Sequence, residues 1–138
     1  LDGQTELEIG MVEFVKKNDA IYLAGLFDGE GCVTFKYYWT KKRGRKNKTY
    51  NLHCALDIAM VDKPTILWCK KATGFGTVTR RIKNKSPSSK PHWKDQWRWN
   101  CSHQQAFAVA KAIAPFSILK QERLLEIVNH YVNKKTKY

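Results

Sequence analysis

The sequence predicts a single α+β domain, in which a four-stranded antiparallel sheet has helices on one face. The spacing of apolar residues changes from a helical period to strict alternation after Gly31, and the same change occurs again further along the chain. Short polar segments separate the alternating stretches, which is typical of hairpins. The 138 residues are enough for one hydrophobic core, so we expect one domain over residues 18–138, preceded by an N-terminal extension over residues 1–17.

The first predicted element is a helix over roughly residues 19–28. Asn18 and Asp19 are residue types that cap the N-terminus of a helix, because their side chains accept hydrogen bonds from its first N–H groups. Gly29 and Gly31 give the backbone freedom where this helix is expected to end. Glu30 would then lie just past the helix end, where a carboxylate can reach a metal ion and a phosphate.

A long β-hairpin is expected next. Apolar and polar residues alternate over residues 32–40 and again over residues 51–60, and the basic segment 41–49 between them contains turn residues. The alternation predicts one buried face, which would include Tyr37 and Trp39, and one polar face open to solvent.

The second half of the chain repeats this order. A helix over residues 62–73, with Asp62 as its N-cap, is followed by a second hairpin. A helix over residues 102–114 is expected to be broken by Pro115, and the last helix covers residues 117–133. The predicted elements therefore have the order αββαββα, followed by one further helix at the C-terminus.

The charge of the chain indicates a nucleic-acid-binding protein. There are 25 Lys and Arg residues against 12 Asp and Glu residues, a net charge of +13, and the sequence pI is about 9.7. Seven bases and no acid lie within residues 36–50, and seven more bases lie within residues 80–98. No apolar stretch is long enough to span a bilayer and no secretory signal is visible, so we expect an intracellular protein, located in the cytoplasm, the nucleoid or an organelle.

The four cysteines do not have the spacing of a zinc site. None of them forms a Cys-x-x-Cys pair, and no histidine stands at finger spacing from them. Their apolar or strand-like surroundings predict buried free thiols in a reducing compartment.

Residues 23–31 read Leu-Ala-Gly-Leu-Phe-Asp-Gly-Glu-Gly, and they are the most informative segment of the chain. The segment resembles the signature of the LAGLIDADG homing endonucleases, and the chain carries it once. It departs from the named consensus at Phe27, Gly29 and Glu30, and each of the three retains the apparent role of the residue that it replaces. Taken alone, the same residues would also suit an ordinary helix end followed by a turn.

Three later segments are also similar to this family. They are Ala59-Met60-Val61-Asp62-Lys63-Pro64 leading to Gly74-Phe75-Gly76, then Gln96-Trp97-Arg98-Trp99-Asn100, and finally Ile113-Ala114-Pro115-Phe116 followed by Leu119-Lys120. The resemblance covers the chain from about Ile21 to Val132, and it implies the saddle-like LAGLIDADG fold.

The resemblance also implies a function. Single-motif members of the family are homodimeric endonucleases that hydrolyse both strands of double-stranded DNA at a long pseudo-palindromic site, with Mg²⁺ or Mn²⁺ as cofactor. Glu30 and the backbone carbonyl of Gly29 would hold the metal, and Lys120 would stabilise charge near the scissile phosphate. Asp62 would orient the attacking water, although a helix N-cap is an equally good interpretation of this residue. The expected dimer interface is the signature helix, through Leu23, Ala24, Gly25, Phe27 and Asp28.

The residues expected to contact DNA share either the polar face of the sheet or the basic hairpin tip. Side chains on the polar face can pair with base edges in the major groove, and the cations of the tip can meet phosphates. These residues are Thr34, Lys36, Tyr38, Lys41, Arg43, Arg45, Lys46, Lys48, Asn51, His53, Asp57, Thr79, Arg81, Lys83, Gln96, Arg98 and Asn100.

Two other functions remain open at this stage. A LAGLIDADG maturase, or another RNA-binding protein of this kind, would assist intron splicing without cutting DNA. A non-catalytic DNA-binding regulator could be built on the same scaffold. The presence of Glu30 favours cleavage over both, because a protein that only binds nucleic acid has no need of a carboxylate that repels phosphate.

Overall fold

A computed structural model describes residues 15–41, 43–44, 46–82 and 94–136. These residues form one four-stranded antiparallel sheet with four α-helices, which confirms the predicted α+β class. In chain order the elements are α1 (Lys17–Glu30), β1 (Gly31–Thr40), β2 (Thr49–Met60), α2 (Lys63–Thr73), β3 (Thr77–Arg81), β4 (Gln96–Ser102), α3 (Gln104–Ile113), a 3-10 turn (Ala114–Phe116) and α4 (Gln121–Thr136).

The strands lie in the order β1-β2-β4-β3, so the two hairpins meet at the centre of the sheet. Leu56 is opposite Val33 on one side and Cys101 on the other, and this row of apolar residues faces the helices. Together with Ile58 and Trp99 it forms the centre of the hydrophobic core. The opposite face of the sheet carries the polar residues of the alternating pattern, as predicted.

Helix α1 begins earlier than the sequence predicts. Its first residue is Lys17, and Lys16 occupies the N-cap position without a side-chain hydrogen bond. The predicted capping role of Asn18 and Asp19 is therefore wrong, because both residues lie inside the first turn. Asp19 still suits this turn, since a negative charge near a helix N-terminus interacts favourably with the helix dipole.

The C-terminal end of α1 requires glycine at position 31 for a steric reason. The backbone of Gly31 is extended rather than left-handed, but a Cβ atom at this position would overlap the ring of Phe27. Glu30 is the last helical residue rather than the first residue beyond the helix. The chain thus passes directly from helix to strand with no intervening loop.

Helix α2 follows the prediction closely. The Asp62 carboxylate accepts a hydrogen bond from the backbone N–H of Thr65 at 3.1 Å, which confirms Asp62 as the N-cap. Pro64 lies in the first turn, where its missing N–H costs nothing. Gly74 ends the helix in the left-handed conformation, with φ of 73°.

The two C-terminal helices are shorter at their N-termini than predicted. Strand β4 continues to Ser102, and α3 begins only at Gln104, after His103 with its positive φ of 53°. Helix α4 begins at Gln121 rather than at residue 117. Residues 117–120 are not helical because the Ser117 hydroxyl and the backbone N–H groups of residues 118–120 bond to the carboxylate of Asp28.

The outer end of the first hairpin differs from the prediction of a fully buried face. Tyr37 and Trp39 do face the helix side, but 46% of Tyr37 and 64% of Trp39 are exposed. The reason is that β1 and β2 continue past the helix layer, so nothing in the described chain covers the ends of these strands. Tyr50, opposite Trp39 on β2, is 55% exposed on the same face.

Candidate active site and nucleic-acid interface

Glu30 projects from the junction between α1 and β1 and is exposed to solvent. The carbonyl of Gly29 belongs to the last turn of α1, whose C=O groups have no N–H partner within the helix. A carboxylate and a carbonyl in this position are the hard oxygen ligands that Mg²⁺ and Mn²⁺ prefer. The residues present therefore fit the divalent cation that the resemblance implies.

Lys120 lies against the same helix end. Its Nζ donates hydrogen bonds to the carbonyl oxygen of Phe27, at 3.0 Å, and to that of Gly31. The ammonium group also lies 5.6 Å from the centroid of the Phe27 ring. Because the C-terminal carbonyls of a helix carry partial negative charge, they stabilise a cation at this point. An ammonium has three donors, and the third can bond to a phosphate oxygen.

Asp28 holds the segment that carries Lys120. Its carboxylate accepts hydrogen bonds from the hydroxyl of Ser117 and from the backbone N–H groups of Ile118, Leu119 and Lys120, at 2.8 to 3.2 Å for the N–H donors. Partial burial raises the pKa of Asp28, but these hydrogen bonds stabilise the charged form, and the net effect is a pKa below the ordinary value. Asp28, which was expected at the dimer interface, thus fixes the start of α4 within its own chain.

Asp62 lies at the same end of the sheet as Glu30. Gly31, which follows Glu30, is paired with Ile58 on β2, and Asp62 comes four residues later, just past the end of that strand. Its carboxylate is exposed and already serves as the N-cap of α2. Because a carboxylate has two oxygens with several acceptor sites, capping leaves Asp62 able to accept a hydrogen bond from a water molecule.

The strand register places the predicted base-contacting residues on one face. Lys36 is paired with His53 and Tyr38 with Asn51 across the first hairpin, and Thr79 is paired with Arg98 across the second. Directly paired residues of antiparallel strands project from the same side of a sheet. Thr34, Asp57, Arg81, Gln96 and Asn100 occupy the same face by this register.

The basic residues of the hairpin tip are exposed. Those that the structure describes are Lys41, Arg43, Lys46 and Lys48. Two further predicted contacts, Arg45 and Lys83, lie outside the described residues.

Some side chains on this polar face contact one another. The guanidinium of Arg98 lies 3.3 Å from the carboxylate of Asp57, and half of the Arg98 side chain is exposed. The amide of Asn51 donates to the hydroxyl of Thr40 and to the carbonyl oxygen of Thr49, 3.2 Å away. In this structure Asp57 therefore orients Arg98, and Asn51 braces the hairpin tip, in addition to any contact that they make with bases.

The predicted dimer-interface residues do not share an exposed face. Leu23, Ala24 and Phe27 are completely buried in the core of their own chain, because this side of α1 packs against the sheet and α3. The expectation that Ala24 is exposed is therefore wrong. The Asp28 carboxylate is occupied by residues 117–120. Of the five residues, Gly25 alone is exposed.

The exposed side of α1 is nevertheless suited to close packing. Ile21, Gly25 and Gly29 are spaced four residues apart and are all exposed, and a Cβ atom added at either glycine would meet no atom within 4 Å. Beside the C-terminal end of this helix, Ile118 is 91% exposed and Leu119 is 73% exposed. Neither residue was among the predicted interface residues, although two adjacent apolar residues at the start of the expected last helix were a visible signal.

The described part of one chain contains no group of three or more His, Cys, Asp or Glu residues that could hold a metal ion. Within one chain, the expected metal site has a single carboxylate, that of Glu30. A second copy of the chain would supply another, and two carboxylates brought close together repel unless a cation lies between them.

Comparison with known proteins gave matches to solved structures only. No protein-family model matches the sequence, and no curated protein is significantly similar to it. Among solved structures, the chain is similar to the homing endonuclease I-CvuI in complex with its target in the presence of calcium, with a TM-score of 0.62 and 16% sequence identity. This match covers 82% of the chain but only 65% of the I-CvuI chain.

Two other solved structures also match in fold at low sequence identity. The archaeal intron-encoded homing endonuclease I-Vdi141I, complexed with DNA, aligns with a TM-score of 0.57 and 18% identity over 86% of this chain and 72% of that one. The LAGLIDADG homing endonuclease I-GzeII, in complex with its DNA target, aligns with a TM-score of 0.54 and 11% identity. That match covers 83% of this chain and 36% of I-GzeII.

The chain therefore has a fold that also occurs in homing endonucleases whose structures were solved with DNA. More narrowly, it is the fold of the LAGLIDADG homing endonucleases, as the nine residues from Leu23 to Gly31 predicted. Over the residues that the structure describes, no helix is both long and apolar enough to cross a membrane.

Proposed function

We propose that this protein is a homing endonuclease that hydrolyses both strands of double-stranded DNA at a long pseudo-palindromic site. The observation that carries the proposal is the position of Glu30, an exposed carboxylate at the end of α1, where the ammonium of Lys120 also bonds to backbone carbonyls. This pair stands at one end of a sheet whose open face is polar and basic. Such an arrangement suits a phosphodiester bond held over the end of the sheet.

The chemistry that we propose is metal-assisted hydrolysis. A divalent cation held by Glu30 and the carbonyl of Gly29 would supply Lewis-acid stabilisation of the phosphate and an activated water. Lys120 donates its remaining N–H to a phosphate oxygen, where negative charge develops in the transition state. Asp62 accepts a hydrogen bond from the attacking water and orients it. The four hydrogen bonds to Asp28 keep the segment with Lys120 in place.

The active form that we propose is a homodimer assembled through the exposed side of α1. Gly25 and Gly29 allow the backbones of two such helices to approach closely, and Ile21, Ile118 and Leu119 supply apolar surface beside them. A two-fold axis needs only one self-complementary patch. The same axis brings two copies of Glu30 together, so that each can serve one strand.

The open face of the sheet is the surface that we propose for DNA. A two-stranded ribbon fits the major groove, and Lys36, Arg98 and Asn100 are residue types that bond to base edges there. The cations at the hairpin tip supply phosphate contacts, which fix the position of the protein but do not read sequence. Because the two halves of the proposed dimer are identical, we expect its DNA target to consist of two similar half-sites.

The experiment that tests this function is a cleavage selection. The purified protein is incubated with a randomised duplex library, with and without Mg²⁺, and the cut ends are sequenced. We expect cutting at one long, nearly palindromic site, in the presence of the metal only. A protein that cuts nothing but retains a structured intron RNA in a parallel pull-down would instead be a maturase.

A further inference from the structure

The helix-side face of the first hairpin carries an exposed aromatic cluster that the proposed nuclease activity does not use. The cluster consists of Tyr37, Trp39 and Tyr50. The rings of Tyr37 and Tyr50 are stacked, with centroids 5.1 Å apart and an angle of 18° between their planes. Trp39 lies against Tyr50, with centroids 4.7 Å apart. About half of each side chain, or more, is exposed.

The cluster continues a partly buried row of aromatic contacts outwards. On its inner side Tyr37 reaches α4, where its hydroxyl lies 3.4 Å from Nδ1 of His130. Phe35, the next residue inwards on this face, packs edge-on against the same imidazole. Tyr37 is thereby held from one side, and the outer rings are held by it. The exposed rings therefore form an ordered surface rather than three independent side chains.

The surroundings of the cluster are strongly basic. The described part of the hairpin tip between Trp39 and Tyr50 carries four exposed cations, namely Lys41, Arg43, Lys46 and Lys48. Residues 36–50 contain no acid at all. A patch of stacked aromatic rings beside a group of cations is the combination by which proteins bind single-stranded nucleic acids, since bases stack on the rings and phosphates meet the cations.

We propose that this aromatic cluster binds unpaired bases of single-stranded RNA. Duplex DNA does not suit the surface, because its bases are stacked on each other and offer only their edges. Unpaired bases that can be splayed onto aromatic rings are characteristic of RNA loops and ends. The hydroxyl of Tyr50 and the indole N–H of Trp39 can bond to a ribose 2′-hydroxyl, which is both a donor and an acceptor.

The proposed RNA surface and the proposed DNA surface are on opposite sides of the same sheet. Lys36, Tyr38 and His53 face the DNA side, whereas Trp39 and Tyr50 face the helix side. The hairpin tip borders both. The proposal is therefore independent of cleavage, and substitutions on the two sides should have separable effects.

The test compares variants that alter either the RNA surface or the DNA surface. In the Trp39→Val, Tyr50→Val variant both rings are lost, but the β-branched replacements keep the preference for strand. In the Arg98→Ala variant a DNA-side cation is lost. Binding of the full chain is measured to a labelled oligouridine, to an oligothymidine of the same length, and to duplex DNA. A third variant, Trp39→Phe with Tyr50→Phe, restores the ring faces.

We expect the valine variant to bind the oligouridine at least about tenfold more weakly than the unaltered protein, because the bases lose the rings on which they stack. Its binding to duplex DNA should change little. The phenylalanine variant should recover most of the RNA affinity, and Arg98→Ala should weaken the duplex alone. Equal RNA binding by the valine variant would overturn the proposal. Preference for oligothymidine, or a parallel loss of duplex binding, would overturn it as well.

A second readout does not depend on the folding of any variant. The unaltered protein is photo-crosslinked to an RNA that carries 5-bromouridine, and the modified peptides are identified by mass spectrometry. Crosslinks on Trp39 or Tyr50 are expected. Crosslinks confined to the DNA side, at residues such as Tyr38 or His53, would contradict the assignment.

Discussion

The carboxylate of Asp28 accepts a hydrogen bond from the backbone N–H of Lys120 at 3.2 Å, and the side chain of Lys120 returns to the helix that carries Asp28, where it bonds to the carbonyl of Phe27 at 3.0 Å. The two residues thus fix each other across 92 positions of sequence. This reciprocal contact fixes the position of the ammonium at the C-terminal end of α1, where Glu30 is the last residue. It makes Asp28 a positioning residue for Lys120.

Replacing Asp28 by asparagine should weaken this lock. The amide has one acceptor oxygen and no charge, so several of the four hydrogen bonds are lost or weakened, at a cost of about 1 to 3 kcal/mol in the free energy of unfolding. Cleavage of the selected target should fall while duplex binding is retained. Urea denaturation, single-turnover cleavage and gel-shift binding, measured together, separate the effects. Unchanged cleavage by a folded Asp28→Asn protein would rule out the positioning role.

The same carboxylate predicts a loss of stability in acid. The folded-state pKa of Asp28 lies below its ordinary value of 3.8, so the charged form contributes stability at every pH above that value. This contribution is lost as the pH falls through the folded-state pKa. The unfolding free energy of the unaltered protein should therefore drop more steeply below about pH 4 than that of Asp28→Asn. Parallel curves for the two proteins would contradict the pKa shift.

Substituting Gly25 by leucine should separate folding from assembly. A Cβ atom added at this position meets no atom within 4 Å, and leucine favours helix over glycine by up to about 1 kcal/mol, so the single chain should become more stable. The bulk would block close approach of a second α1. Sedimentation velocity should show a dimer for the unaltered protein and a monomer for Gly25→Leu. The matched control is Asn129→Leu, which adds an exposed leucine to α4 and should leave the dimer intact.

Cysteine reactivity should report occupation of the DNA face. Burial raises the pKa of Cys54 to about 11 and those of Cys69 and Cys101 to about 12, so these thiols should react slowly. Cys32 is exposed and is paired with Asp57 on the polar face. One thiol per chain should therefore react rapidly with Ellman's reagent, and bound target DNA should slow it. A rapid phase that persists in Cys32→Ser, or that DNA does not slow, would contradict this placement.

The sequence predicted the order of elements and the two faces of the sheet, because strict alternation leaves only one register in which Leu56 and Ile58 are buried. It also predicted the N-cap of α2, since Asp62 and Pro64 act through local geometry. The prediction that all four cysteines are buried was wrong for Cys32. Cysteine is a residue type that is usually buried. The position of Cys32 in the strand, however, places it on the polar face, paired with Asp57.

The other incorrect predictions concern places where segments that are distant in sequence contact each other. The start of α4 depends on Asp28, a partner about ninety residues away, and no local pattern near residue 117 indicates it. The exposure of Trp39 depends on where the helix layer stops, which alternation within a strand does not show. Ala24, which was expected at the dimer interface, instead packs within its own chain, because a small residue also lets a helix lie close to its own sheet.

Metal-dependent cleavage is proposed to depend on Glu30, and the most direct measurement compares the unaltered protein with Glu30→Gln on the selected DNA target. Rates of cutting in Mg²⁺ and equilibrium duplex binding are measured on the same preparations, with Glu126→Gln as a control that loses only an exposed ion pair with Arg123. We predict that Glu30→Gln binds the duplex as well as the unaltered protein but cuts it at least about 100-fold more slowly. Cutting by Glu30→Gln at the rate of the control would contradict the account.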